Sequence, residues 1–75
     1  MSMTPAQCKM ARAALDWSVR DLSKKAQVGS ATVSRFEAGQ GTPIPSTVGS
    51  MRRALEAAGV EFIPGGVRLR EAADV

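Results

Sequence analysis

The punctuation between Ser18 and Gly39, SVRDLSKKAQVGSATVSRFEAG, constrains this chain more than any other feature. Ser18 with Asp21 three residues on is a helix-starting capping box, weaker than one closed by Glu or Gln. Leu22 and Ala26 then recur at helical spacing. Two residues later, at Val28-Gly29-Ser30, another helix begins, and Gly39 ends it. That helix has an unusual surface. At roughly 100° per residue, Val33, Phe36 and Glu37 fall behind it. Ser30, Ala31, Ser34, Arg35 and Ala38 share the outward arc, with Thr32 on the flank. A helix that only meets water is usually dressed in Lys and Glu, which raise helix propensity and solubility. Small side chains around a single arginine predict a face that something approaches closely.

The rest of the chain supplies two more helices and a change of period. Thr4-Pro5-Ala6-Gln7 combines an N-cap, Pro at the first helical position and Gln at the third. Cys8, Ala11 and Leu15 follow on one face, and the helix should end near Asp16, which tolerates the left-handed conformation. GTPIPST reads as a proline-bearing loop that cannot be helical inside, after which Ser46 can cap a fourth helix. Val48, Met51 and Leu55 face inward there, and Gly59 stops it. Gly49 inside this helix costs about 1 kcal/mol relative to Ala, with no reason visible in the sequence. After Gly59, VEFI and VRLR alternate around Pro64-Gly65-Gly66, which predicts two short strands joined by a tight loop. A lone two-stranded hairpin is marginal in water, so it must pack on the helices or pair with a second copy. The expected fold is mainly α, with four to five helices and a short C-terminal β-hairpin or strand pair. Residues 1–59 form the helical domain; residues 60–75 form the strands and a frayed tail, EAADV.

Composition removes whole classes of function. Seventy-five residues make one small domain, which buries only about 60% of its unfolded surface and cannot house a deep catalytic cleft. The chain has no histidine and one cysteine. Cys8 therefore has no disulfide partner in the chain, which favours a reducing cytoplasm. Metal binding fails on ligand count, no motif suggests a cofactor or small-molecule ligand, and we expect no enzyme activity. MSMTPAQCKM lacks the apolar core of a signal peptide, and no apolar run approaches membrane-spanning length. Charge is uneven. Residues 1–53 carry eight Lys or Arg against three acids, whereas residues 54–75 carry two against four. The first part suits a polyanion, although ordinary solvated helix faces explain the same counts.

Two short helices joined by three or four residues, the second facing outward, describe a helix-turn-helix. DWSVRDLSKKAQVGSATVSRFEAGQGTP resembles the core of the lambda-repressor-like, or XRE, family. The resemblance runs from about Thr4 to Leu55. It rests on Leu15, Trp17, Ser18, Leu22, Ala26, Val28, Thr32, Val33, Glu37, Gly39 and Pro43. It implies a second helix across the DNA backbone and a third in the major groove. Arg12 and Glu37 stand where that family often forms a buried ion pair. The chain departs from the family at Gln27 and Gly29, where Gly and a Ser or Thr cap are usual, and at Val19, where a glutamine often grips phosphate.

The resemblance and the surface of the third helix together predict double-stranded DNA as partner. Arg35 reaches guanine O6 and N7; Ala31 and the Thr32 methyl suit a thymine methyl; Ser30 and Ser34 permit close approach. Phosphate contacts are expected from Ser18 and Val19, from Gln40 and Thr42, and from Ser46 and Thr47. Arg52 and Arg53 more readily solvate the fourth helix or touch the hairpin. One reading helix with few cationic contacts holds DNA poorly, so we expect a homodimer joined through Val60, Phe62, Ile63, Val67 and Leu69. Met51, Leu55 and Ala58 offer a competing surface. Two other functions fit the residues: a protein-interaction module of the same fold, such as an antitoxin-like partner, and a nonspecific nucleic-acid coat. Bare domains of this family suit phage, mobile-element, restriction-control or antitoxin circuits, as repressors or otherwise.

Overall fold

In a computed structural model that describes residues 3–70, the Thr4 hydroxyl accepts from the Gln7 N–H at 3.1 Å and the Gln7 side chain accepts from the Thr4 N–H at 2.9 Å. This box opens α1 (Pro5–Leu15), which stops where Asp16 turns left-handed at φ 58°. Ser18 and Asp21 make the same reciprocal pair at the start of α2 (Val19–Ala26). Gln27 ends α2 in the left-handed region, φ 58°, where an L side chain costs about 1–2 kcal/mol. That conformation is the physical reason a glycine suits the position. α3 (Ser30–Glu37) follows from Gly29, and Gly39 leaves it at φ 72°.

α4 (Pro45–Ala57) starts two residues earlier than a cap at Ser46 would place it. Ile44 is the N-cap, without a side-chain bond, and Pro45 is the first helical residue. Proline suits that position because its missing N–H would be orphaned there anyway. Ser46 is therefore inside the first turn and caps nothing, and the proline loop ends at Ile44.

Gly59, at φ 109°, turns the chain into β1 (Val60–Ile63), which pairs antiparallel with β2 (Gly66–Leu69) in the register Val60 to Leu69, Phe62 to Val67 and Ile63 to Gly66. The loop is Pro64-Gly65 alone; Gly66 belongs to β2. The strands pair within one chain and pack on its helices, β2 against α1 and β1 against α4.

Leu22, Val33, Met51, Leu55 and Cys8 are fully buried between the four helices, and Val60 from β1 joins them. Val60 is 1% exposed. It lies inside the protomer and offers nothing to a second copy, contrary to the expected dimer face. Met51 and Leu55 are likewise core, so the competing surface on the fourth helix lacks both residues. Phe62 and Val67 pack partly against the core, while Ile63 and Leu69 stay exposed. The tail EAADV lies outside the described residues.

Candidate nucleic-acid interface

The site is built on α3, and α3 is oriented by what lies behind it. Val33, Phe36 and Glu37 are buried, whereas Ser30, Ala31, Thr32, Ser34 and Arg35 are all exposed. The orientation has an electrostatic anchor. Glu37 accepts Arg12 Nε at Oε2 and Arg12 Nη2 at Oε1, both at 2.6 Å, a bidentate pair. The third guanidinium nitrogen donates to the Trp17 carbonyl at 3.0 Å, tying the end of α1 to the same point. The Cys8 thiol donates to Glu37 Oε2 at 3.1 Å. A buried charge is tolerated only when paired, and here each buried partner is satisfied. Burial pushes the Glu37 carboxyl up, but the hydrogen bonds from Arg12 and Cys8 and the charges of Arg12 and Lys9 outweigh it, leaving the group below its ordinary range. Burial, then the bond to Glu37, drives the Cys8 thiol well above its ordinary value, so it stays protonated.

The five residues expected to read bases do not point one way. Thr32 and Arg35 line a groove of about 510 Å³ between α3 and the segment that leads into α4. Gln40, Thr42 and Thr47 line the same groove, so three of the residues expected at phosphates converge on two expected at bases. Ser30, Ala31 and Ser34 lie outside it on the exposed face. Among the described residues no carboxylate pairs with Arg35: the salt bridges are Arg12–Glu37, Arg52–Glu56 and Arg68–Glu61.

At the start of α2 the expectation needs correction. The Ser18 N–H is not free for a phosphate, because it donates to Asp21 Oδ2 at 2.9 Å. The Ser18 hydroxyl in turn accepts from the Asp21 N–H at 3.1 Å. The Ser18 backbone and hydroxyl bonds hold the Asp21 carboxyl below its ordinary value, so a negative charge sits at this helix start and opposes a phosphate there. Val19 is half-buried and packs against the core. At α4 the Thr47 N–H donates to the Ile44 carbonyl at 2.9 Å and is not free for a phosphate, while Thr47 lines the groove. The Ser46 carbonyl accepts from Ser50 Oγ at 3.1 Å.

A family model of the helix-turn-helix domain matches residues 6–62, from α1 through Phe62 of β1. The chain belongs to the helix-turn-helix domain family. Within this helix-turn-helix domain α2 and α3 are the paired helices, and Gln27-Val28-Gly29 is the turn between them. No curated protein sequence gives a significant match. The match extends beyond the paired helices into the first strand, in keeping with a core that Val60 completes.

Gln7 caps α1. Its Nε2 also donates to the carbonyls of Ile63 and Gly66, at 2.9 and 3.1 Å, and so fixes the hairpin turn against α1. The sequence holds no signal for that contact, since 56 residues separate Gln7 from Ile63. Arg52 stacks over the Phe62 ring at 4.6 Å and binds Glu56 at 3.0 Å, holding β1 to α4.

Proposed function

We propose that this chain is a sequence-specific, double-stranded-DNA-binding transcriptional regulator that acts as a homodimer on an inverted-repeat operator, with α3 in the major groove. A helix-turn-helix domain suggests DNA binding. The finer reading rests on one observation, a row of small exposed side chains on α3 around an arginine that no carboxylate of the described residues claims. Such a guanidinium is available for two hydrogen bonds to guanine O6 and N7, while Ser and Ala let the helix approach base edges. The hydroxyls of Thr42 and Thr47 and the amide of Gln40 supply neutral bonds to the flanking backbone. The role is one of binding and not of catalysis. A single buried, protonated thiol suits the reducing cytoplasm.

One copy offers few cationic phosphate contacts, so two copies on half-sites about 34 Å apart are needed for useful affinity at physiological salt. Ile63 and Leu69, 40% and 49% exposed on the hairpin, support that element as the contact between copies.

The experiment selects an operator from random duplexes and compares it with a scrambled one. Arg35→Ala should lose about 1–3 kcal/mol on the operator and relax preference at one base pair per half-site. Unchanged binding to both duplexes would remove the base-reading role. In the same assay, the double variant Ile63→Lys, Leu69→Lys should sediment as a monomer and bind the operator weakly. A variant that stays dimeric would move the interface off the hairpin. Failure of the wild type to select any duplex would favour the protein-interaction reading.

A further inference from the structure

The groove beside α3 carries more apolar surface than hydrogen bonding to a nucleic-acid strand requires. Ile44 forms its lip and is 64% exposed, well above Met10, Ile63 and Leu69. Phe36 and Met51, both core residues, close its inner end. Its volume of about 510 Å³ falls within the roughly 300–1,000 Å³ of sites that enclose small organic ligands. The rim is polar, with the hydroxyls of Thr32 and Thr47. Among the described residues Arg35 is the single formally charged side chain lining it, and none of their acids faces it there.

An apolar floor under an uncompensated guanidinium selects one chemistry. We propose that this groove binds a small organic anion, a carboxylate carried on an aromatic or branched aliphatic body. The carboxylate bonds to Arg35, where charge assistance and paired geometry are strongest. The body lies against Ile44 and Phe36, covering the most exposed large hydrophobe of the described residues. Binding of the anion does not depend on the DNA-binding reading. Its consequence does: anion and guanine need the same guanidinium, so each lowers the affinity for the other.

The test titrates the full chain with phenylacetate and with its neutral isostere phenylacetamide at constant ionic strength, following backbone amide signals by NMR. Phenylacetate should shift Thr32, Arg35, Thr42, Ile44 and Thr47 saturably and bind about tenfold more tightly than the amide. Arg35→Gln should abolish the preference for the acid, and Ile44→Ser should weaken both compounds alike. Both positions are exposed, so neither change threatens the fold. Absence of saturable shifts at these residues, an equal response to the two compounds, or a preference that survives Arg35→Gln would overturn the proposal. In a second arm, phenylacetate should weaken operator binding in proportion to its occupancy of the groove. An occupied groove with unchanged operator affinity would overturn the competition for Arg35.

Discussion

Glu37 is where three segments meet: the carboxylate holds Arg12 and Cys8 of α1 and, through Arg12, the Trp17 carbonyl. The two members of the ion pair are unequally buried, with side chains 19% exposed for Arg12 and 6% for Glu37. Removing one charge from a buried pair costs about 3–5 kcal/mol when the survivor is cut off from water. Arg12→Met strands the deeper charge and should cost near 3 kcal/mol, whereas Glu37→Gln leaves a guanidinium that can still reach solvent and should cost less. Thermal melts of both single variants and the double variant check this, with small additive losses counting against the pair. The same network sets a pH window. Because the folded Glu37 carboxyl lies below its ordinary value of 4.5, its stabilisation is complete above that pH and is lost as pH falls through the folded value. The Cys8 thiol is raised from an ordinary 9.0, so the unfolded chain ionises first and stability declines as pH rises beyond 9. Denaturant titrations should show a plateau between these limits. Cys8→Ala should flatten the alkaline side and, by removing one of the bonds that hold Glu37 down, reduce the acid-side loss as well.

Among the elements, α4 carries a local choice in its interior that works against it. Glycine within a helix costs about 1 kcal/mol relative to alanine. A Cβ added at Gly49 would meet Arg53 Nη1 at 3.2 Å and nothing closer. That atom is the far end of an exposed, flexible side chain, which donates to Ser50 Oγ through a long 3.5 Å bond. Glycine here makes room for Arg53 and is not demanded by backbone geometry. Gly49→Ala should therefore raise stability by about 0.5–1 kcal/mol and the melting temperature by a few degrees. A fall on thermal melting would show that the Arg53 position cannot yield.

At the scale of the whole molecule the hairpin is part of the core. Val60 is among its fully buried side chains, Gln7 grips the turn through two carbonyls, and Arg70 donates to the Gly59 and Glu56 carbonyls. Burying Val60 and most of Phe62 is worth about 2–4 kcal/mol. A domain this small has only about 3–5 kcal/mol in reserve. Truncation after Gly59 should accordingly abolish cooperative unfolding, seen by circular dichroism as a helical signal that fades without a transition. A truncated chain that still melts cooperatively would mean that the four helices suffice. Substitution at Ile63 and Leu69 is for this reason the sound way to test the proposed dimer.

What the sequence determined by itself is local chemistry. Capping boxes at Thr4 and Ser18, the left-handed end at Asp16, and the inward side of α3 all depend on residues within one or two turns. The apolar alternation after Gly59 announced the strands for the same reason. Ile44 and Pro45 show where local rules compete: a serine next to a proline invites a cap, but proline needs no N–H and takes the first helical position itself. Contacts between distant segments left no mark in composition or period. Gln7 reaching Ile63, Arg52 stacking on Phe62, Val60 facing the core of its own chain, and Thr32 with Arg35 sharing a groove with Thr47 were decided by packing. The alternation of a strand tells which side chains share a face, and only the surrounding helices determine whether that face meets their own core or a second molecule.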